Sequence, residues 1–163
     1  MTPEDAARLR RAIELAGEAR ARGDGAFGAV LLAADGAPLA EAGNTAPTSG
    51  DASQHAEMNA LRDAAARRGA AALRGAILYA STEPCPMCAA AAHLAGVGRV
   101  VFGLRASELP RARGGPLPWP PVEIPAAEVA ARGGGRMVVE GPCLEHEAAA
   151  PHAGLGGGVP VGA

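Results

Sequence analysis

His55 and Glu57 stand two positions apart in "QHAEMNALR", residues 54–62, and Cys85 and Cys88 stand three apart in "EPCPMC", residues 83–88. A histidine and a glutamate together are also what an ordinary polar helix start looks like. A Cys-x-x-Cys pair reads as a redox dithiol, as half of a zinc site, or as coincidence. A four-cysteine structural site is excluded by count, because Cys143 is the single cysteine that remains. A thioredoxin-like dithiol is expected at the end of a first strand, whereas here a hairpin and a helix come first. Joined, the two motifs point further. One imidazole and two thiolates supply three ligands to a tetrahedral ion and leave the fourth position to water, the pattern of a catalytic zinc. Glu57 points away from the His55 side chain, so it is expected to hang over the open position and take the proton of that water.

Helices and strands must carry these residues to one place. Leu9, Ile13 and Ala16 recur at helical spacing between Pro3 and about Arg22, with Thr2 as N-cap, Pro3 at the first helical position and Asp5 three residues after the cap. "AFGAVLLA" (26–33) reads as a mostly buried strand, "ADG" (34–36) as a hairpin turn and "APLAEAGN" (37–44) as the returning strand. The turn-rich "TAPTSGDAS" leads into a helix from 55 to about 68. "GAILYAS" (75–81) and "RVVFG" (99–103) are short apolar runs, hence strands covered on both faces, with an Ala-rich helix from Pro86 to Gly96 between them. The order implies an α/β layered domain, and strands separated by a helix are expected to pair in parallel. His55 thus opens one helix and Cys85 and Cys88 the next. Neighbouring helix N-termini converge, and their positive ends favour thiolate. After Leu104 the pattern weakens. "PRARGGPLPWPP" is an irregular loop, 124–132 a short helix, 136–141 a last strand and "LEHEAAAPH" a last helical piece. The domain is expected to span 1–150, with 151–163 a disordered tail.

At 163 residues the chain is one domain by length. Its aromatics are Phe27, Tyr79, Phe102 and Trp119, so the core must be built from Ala, Val, Leu and Ile. No apolar stretch reaches the ~18 residues of a membrane span. A charged, helical N-terminus and an odd number of cysteines make the cytoplasm the expected compartment. The net charge of −2 gives no overall attraction to nucleic acid, and the chain has no lysine. Arg105, Arg111 and Arg113 form the one local cationic stretch in that loop.

His55-Ala56-Glu57 followed by Pro84-Cys85-Pro86-Met87-Cys88 matches H-x-E … P-C-x-x-C, the signature of zinc deaminases of nucleobases. With "AFGAVLLAADG", "AEAGN", "ILYASTEPCPMCAAA" and "RVVFG", the chain resembles the cytidine deaminase-like superfamily from about residue 4 to Leu104. Within it, the chain looks like the branch holding guanine deaminases and tRNA adenosine deaminases. The resemblance implies three α-β-α layers around a central five-stranded mixed sheet, in a homodimer, with one Zn2+ per chain on His55, Cys85 and Cys88. It implies that hydroxide formed on the zinc attacks the amino-bearing ring carbon, while Glu57 passes protons to the ring and to the leaving ammonia. Asn44 matches the asparagine that contacts the base, and the backbone at Ala56 helps to orient it. Phe27 matches the phenylalanine of guanine-deaminase-like "PFGAV", with Ala26 in place of the proline. His93, on the helix where guanine deaminases carry an aromatic, and Trp119, as a stacking lid, are further pocket candidates. Glu83 is expected to hold the turn before the cysteines. Glu123, Glu128, Glu140, Glu145 and His146 have no spacing that singles one out.

The expected function is hydrolytic deamination of a small aminated nucleobase or nucleoside, a purine such as guanine first. The alternative is a tRNA-specific adenosine-to-inosine deaminase, disfavoured by the acidic balance and by the absence of that branch's lysine-containing stretch after "VVFG". An inactive deaminase-like binding module is the alternative of another class, disfavoured because Glu57 and all three ligands are present.

Overall fold

The computed structural model describes residues 1–118 and 120–156. Its first helix, α1 (Pro3–Ala21), starts as the sequence predicts. Asp5 N donates to Thr2 Oγ1 at 3.1 Å and Thr2 N donates back to Asp5 Oδ2 at 2.8 Å, a reciprocal cap that satisfies two otherwise orphaned donors. Strands β1 (Gly28–Leu32) and β2 (Pro38–Gly43) form the expected antiparallel hairpin, with Gly36 turning at φ +86°. The helices α2 (Ala46–Ser49) and α3 (Ala56–Arg68) then lead to β3 (Ile77–Thr82). After α4 (Pro86–Ala95) and β4 (Arg99–Leu104) come α5 (Leu109–Arg113), α6 (Ala126–Arg132), β5 (Val138–Glu140) and α7 (Glu145–Ala149).

The five strands make one mixed sheet in the order β2-β1-β3-β4-β5. On one face α1 sets Leu9, Ala12 and Leu15 against Val30, Leu32, Tyr79 and Val101. A Cβ on Gly28 would overlap the Ala12 carbonyl and approach Ala16 N to 2.6 Å, so the missing side chain lets α1 lie directly on β1. On the other face α3, α4 and α6 bring Ala60, Leu61, Ala64, Ala92 and Ala130 against Ala29, Leu31, Leu78 and Val100. Most of those helix residues are alanines, which let the backbones pack closely without large side chains. The three-layer α-β-α fold with a five-stranded mixed sheet is therefore present.

Pairing follows the expectation in part. β3 runs parallel to β4 and β4 to β5, each across a helix. β2 and β3 are also separated by a helix, yet β1 lies between them and is antiparallel to both. The hairpin places β2 outside β1, so the crossover through α3 must pass over β1 before the chain returns to the sheet.

The segment after Leu104 holds more structure than its composition suggests. A 3₁₀ turn over Ala106–Glu108 runs into α5, with Pro110 in its first turn. Elements of three to five residues are too short to show a helical period, which is why the sequence reads as a loop. At the other end, the described residues continue past position 150. Ala150–His152 form a 3₁₀ turn, and His152 is completely buried. Arg20 Nη1 donates to Pro151 O at 2.9 Å, Arg113 Nη2 donates to Leu155 O at 3.0 Å, and Gly156 N donates to Arg113 O at 2.7 Å. The rest of the expected tail, residues 157–163, lies outside the described residues. Among the described residues no helix is long and apolar enough to cross a membrane.

Arg99, which opens β4, gathers the far end of the sheet. Its guanidinium donates to Asp5 Oδ1 at 2.7 Å and Oδ2 at 3.1 Å, and to Glu140 at 2.9 and 2.7 Å, while Tyr79 OH donates to Asp5 Oδ1 at 2.8 Å. α1, β3, β4 and β5 thus share one network. The Arg99 guanidinium holds the Asp5 carboxyl far below the usual carboxylate range. Replacing Arg99 with Met leaves the buried Asp5 charge without its cation, and we expect a loss of about 3 kcal/mol at pH 7 and a fall in Tm of roughly 10 °C. Because the folded-state pKa of Asp5 is depressed, its contribution is complete above the unfolded value near ~3.9 and is lost as pH falls below it. The gap between wild type and Arg99→Met, read by denaturant melts across pH, should therefore narrow below about pH 4.

Candidate active site

His55 and Cys85 are the N-cap residues of α3 and α4, and neither side chain caps its own helix. Both are therefore free to face each other across the gap between the helix starts. Pro86 sets the first turn of α4, and Cys88 follows within that turn, buried. The His55 Nδ1 atom lies 3.6 Å from Cys85 Sγ and 3.5 Å from Cys88 Sγ, and the sulfurs lie 3.6 Å apart. A tetrahedral zinc with Zn–S of ~2.3 Å and Zn–N of ~2.0 Å requires S···S of about 3.8 Å and S···N of about 3.5 Å. The observed triangle matches these edges, and two sulfurs with one imidazole nitrogen are zinc donors by chemistry. Among the described residues this is the one cluster of such groups close enough to share an ion. His55, Cys85 and Cys88 would hold the zinc and leave a fourth position free.

The thiols are tuned in opposite directions. The Cys88 thiol hydrogen-bonded to it, with His55 beside it, brings Cys85 down to about 4, which favours negative charge on that sulfur. That charge, together with burial, pushes Cys88 strongly up. His55 is raised by its contact with Cys85. Glu57, in the first turn of α3, is 7% exposed, and burial pushes its carboxyl up to about 6. Its carboxyl reaches the Cys88 thiol, which places it beside the cluster.

Asn44 leaves the end of β2 and is 4% exposed. Its backbone N donates to Phe27 O at 2.9 Å, and its Oδ1 accepts from Ala46 N at 3.0 Å. Its amide nitrogen makes no hydrogen bond to a described residue. Ala56, at the first position of α3, is buried next to Glu57. The Phe27 ring lies against His152, with centroids 5.3 Å apart and planes tilted by 58°. Asn44 and Phe27 thus meet beside the start of β1, while Ala56 and Glu57 open α3.

His152 is the residue that sequence reasoning missed. Its Nε2 lies 3.2 Å from Thr82 Oγ1, and its Nδ1 is buried with no partner among the described residues. A lone histidine in a Gly- and Ala-rich C-terminal stretch has no spacing that would single it out. Burial, then the nearby charges of Arg113 and Arg20, bring it down to about 4. Glu83 takes the structural role expected of it. Its carboxylate accepts from Ala106 N and Ala126 N, both at 3.2 Å, tying the turn before Cys85 to two later segments.

His93 is carried on the same helix as the two cysteines. It sits near the C-terminal end of α4, eight residues or about 12 Å beyond Cys85 along the axis. There its ring packs on Gly133, where an added Cβ would come within 2.6 Å of it. A helix that points its N-terminus at the zinc necessarily carries its last turn away. Trp119 lies outside the described residues. The arginines do not form one cationic face, since Arg111 pairs with Glu108 at 2.6 Å and Arg113 is spent on the C-terminal segment. Glu128 and Glu140 are likewise paired, with Arg132 and Arg99.

Purified protein should carry about one zinc per chain, and Cys88→Ala should lose it, as read by metal analysis. His152 yields a pH expectation of definite sign. Its folded-state pKa, about 4, lies below the ordinary histidine value of 6.5. Its stabilisation is therefore full above about 6.5 and drains away as pH falls from there toward about 4, by up to about 3 kcal/mol. The stability difference between wild type and His152→Phe, measured by urea unfolding, should fall across that window and be flat above it.

Comparison with known proteins agrees with this geometry. The model of the cytidine and deoxycytidylate deaminase zinc-binding region matches residues 2–104. A probable cytosine deaminase of Schizosaccharomyces pombe is 34% identical over 155 residues, covering 95% of this chain and 94% of its own. A tRNA-specific adenosine deaminase of Bacillus subtilis is 40% identical over 100 residues, 61% of this chain and 62% of its own. The solved structure of a guanine deaminase from Bacillus subtilis superposes with a TM-score of 0.62 at 41% identity, over 69% of this chain and 70% of that one. The donor triangle, the buried glutamate and these likenesses agree: the chain belongs to the cytidine and deoxycytidylate deaminase family and is a zinc-dependent hydrolytic deaminase.

Proposed function

We propose that the substrate is a free aminated nucleobase, a purine such as guanine first. The ring C–NH2 bond is replaced by C=O at the expense of one water, with release of ammonia. The observation that carries this reading is the buried Glu57 carboxyl beside a three-donor cluster, together with an asparagine whose amide nitrogen has no partner among the described residues. When bound, zinc supplies a Lewis acid that makes water nucleophilic at neutral pH. Glu57 takes a proton from that water, delivers it to the ring nitrogen next to the reacting carbon, and passes the second to the departing amine. The Asn44 amide nitrogen donates to an acceptor on the ring and fixes its rotation. The backbone at Ala56 holds the ring from the helix start, and Phe27 offers it an apolar edge.

A small substrate is supported by the C-terminal turn, which lays His152 against Phe27. It is also supported by the net charge of −2 and by the pairing of Arg111 with Glu108. Cytosine is the second reading, favoured by the match to a probable cytosine deaminase that continues through the C-terminal third. A homodimer is supported by α4, which leaves Met87 38% and Leu94 84% exposed. Seven residues apart, these share one helix face. A site built on reduced cysteines fits a cytoplasmic protein.

Ammonia release from guanine, adenine, cytosine, guanosine, cytidine and a tRNA anticodon stem-loop tests the reading. Turnover of a free base supports it, and turnover of the stem-loop alone overturns it. Glu57→Gln should keep its zinc and lose about 10³-fold in kcat. Undiminished activity in that variant would remove Glu57 from the chemistry.

A further inference from the structure

We propose that Asn59 is a positioning residue that aims Asn44 at the substrate. Asn59 lies on α3 one turn after His55, to whose carbonyl its backbone N donates at 2.9 Å. Its side-chain amide nitrogen lies 3.0 Å from Gly43 O, 3.0 Å from Thr45 Oγ1 and 3.3 Å from Gln54 O. Two of these acceptors are carbonyls, so the nitrogen and not the oxygen of the amide must face them. Gly43 and Thr45 flank Asn44, and Gln54 precedes His55. One amide therefore joins the end of β2, the start of the following loop and the end of that loop to the helix that carries Glu57.

Asn44 cannot set this position by itself. Its one side-chain bond, to Ala46 N, lies within its own turn and moves with it. Thr45 N donates to Gln54 O at 3.0 Å and closes the base of the loop, but that bond ties loop to loop. Asn59 is the side chain that refers the Asn44 turn to α3. Its loss should leave the zinc triangle intact while the base-orienting amide drifts relative to Glu57.

The inference rests on Asn44 as the group that orients the base, and the test separates the two. The chain has two asparagines, Asn44 and Asn59. Zinc-loaded full-length protein labelled with 15N-asparagine therefore shows two side-chain amide pairs, and Asn59→Leu leaves that of Asn44 alone. We expect the Asn44 pair to shift and sharpen toward a mobile side chain. kcat/KM should fall about 10–100-fold, with zinc still one per chain. In an Asn44→Ala background, Asn59→Leu should cost little more, because both changes remove the same aim. An unmoved Asn44 pair, or a full additive loss in that background, overturns the proposal. If Asn59→Leu fails to fold, Asn59→Ser keeps one donor and is read the same way. If the wild type turns over no aminated base, the substrate reading falls and the spectrum still decides the role of Asn59.

Discussion

Two sulfurs three positions apart and an imidazole nitrogen thirty or more positions before them lie within 3.6 Å of one another. Holding three ionisable donors that close requires the first turns of α3 and α4 to be fixed against each other to a fraction of an ångström. Much of the rest of the molecule answers that requirement. Alanines on α3 and α4 let both helices settle on the same sheet face, and β1 and β3, hydrogen-bonded as neighbours, fix the spacing beneath them. Larger side chains at Ala60, Ala64 or Ala92 would separate the helices and open the triangle.

The carboxylates of the protein fall into two groups with different consequences. Asp5, Glu83 and Glu140 are saturated, by Arg99 in the first and third cases and by two backbone amides in the second. They act as fasteners: Asp5 and Glu140 at the end of the sheet remote from the zinc ligands, Glu83 directly before Cys85. Glu57 is paired with no arginine among the described residues, and burial outweighs its own backbone N–H and the nearby His55 and raises it. A buried carboxyl left available beside a Lewis acid is suited to moving protons, whereas a saturated one is not.

The C-terminal segment shows a similar division. Two arginines hold its backbone, through the carbonyls of Pro151 and Leu155, and the segment carries a histidine with one ring nitrogen unsatisfied into the interior beside Phe27. An unmatched buried polar atom costs about 1–3 kcal/mol, so the arginine contacts and the packing on Phe27 must more than offset it. The segment thereby becomes part of the wall behind a residue of the site.

The metal ligands and Glu57 were legible in the sequence because their spacing is local: H-x-E and C-x-x-C each sit at one helix start, and helix starts have recognisable caps. The hairpin, α1, α3, α4 and the apolar strands β3 and β4 were legible for the same reason, each being long enough to show its period. Sequence alone could not place β1 between β2 and β3, since strand order depends on which edge a crossover returns to. It could not tell that His93 faces Gly133, because that depends on how the end of α6 packs against α4. Nor could it find His152, whose role comes from two arginines that clamp the segment from α1 and α5. Local chemistry is written in neighbouring residues; burial, strand order and contacts between distant segments exist only once the chain has closed on itself.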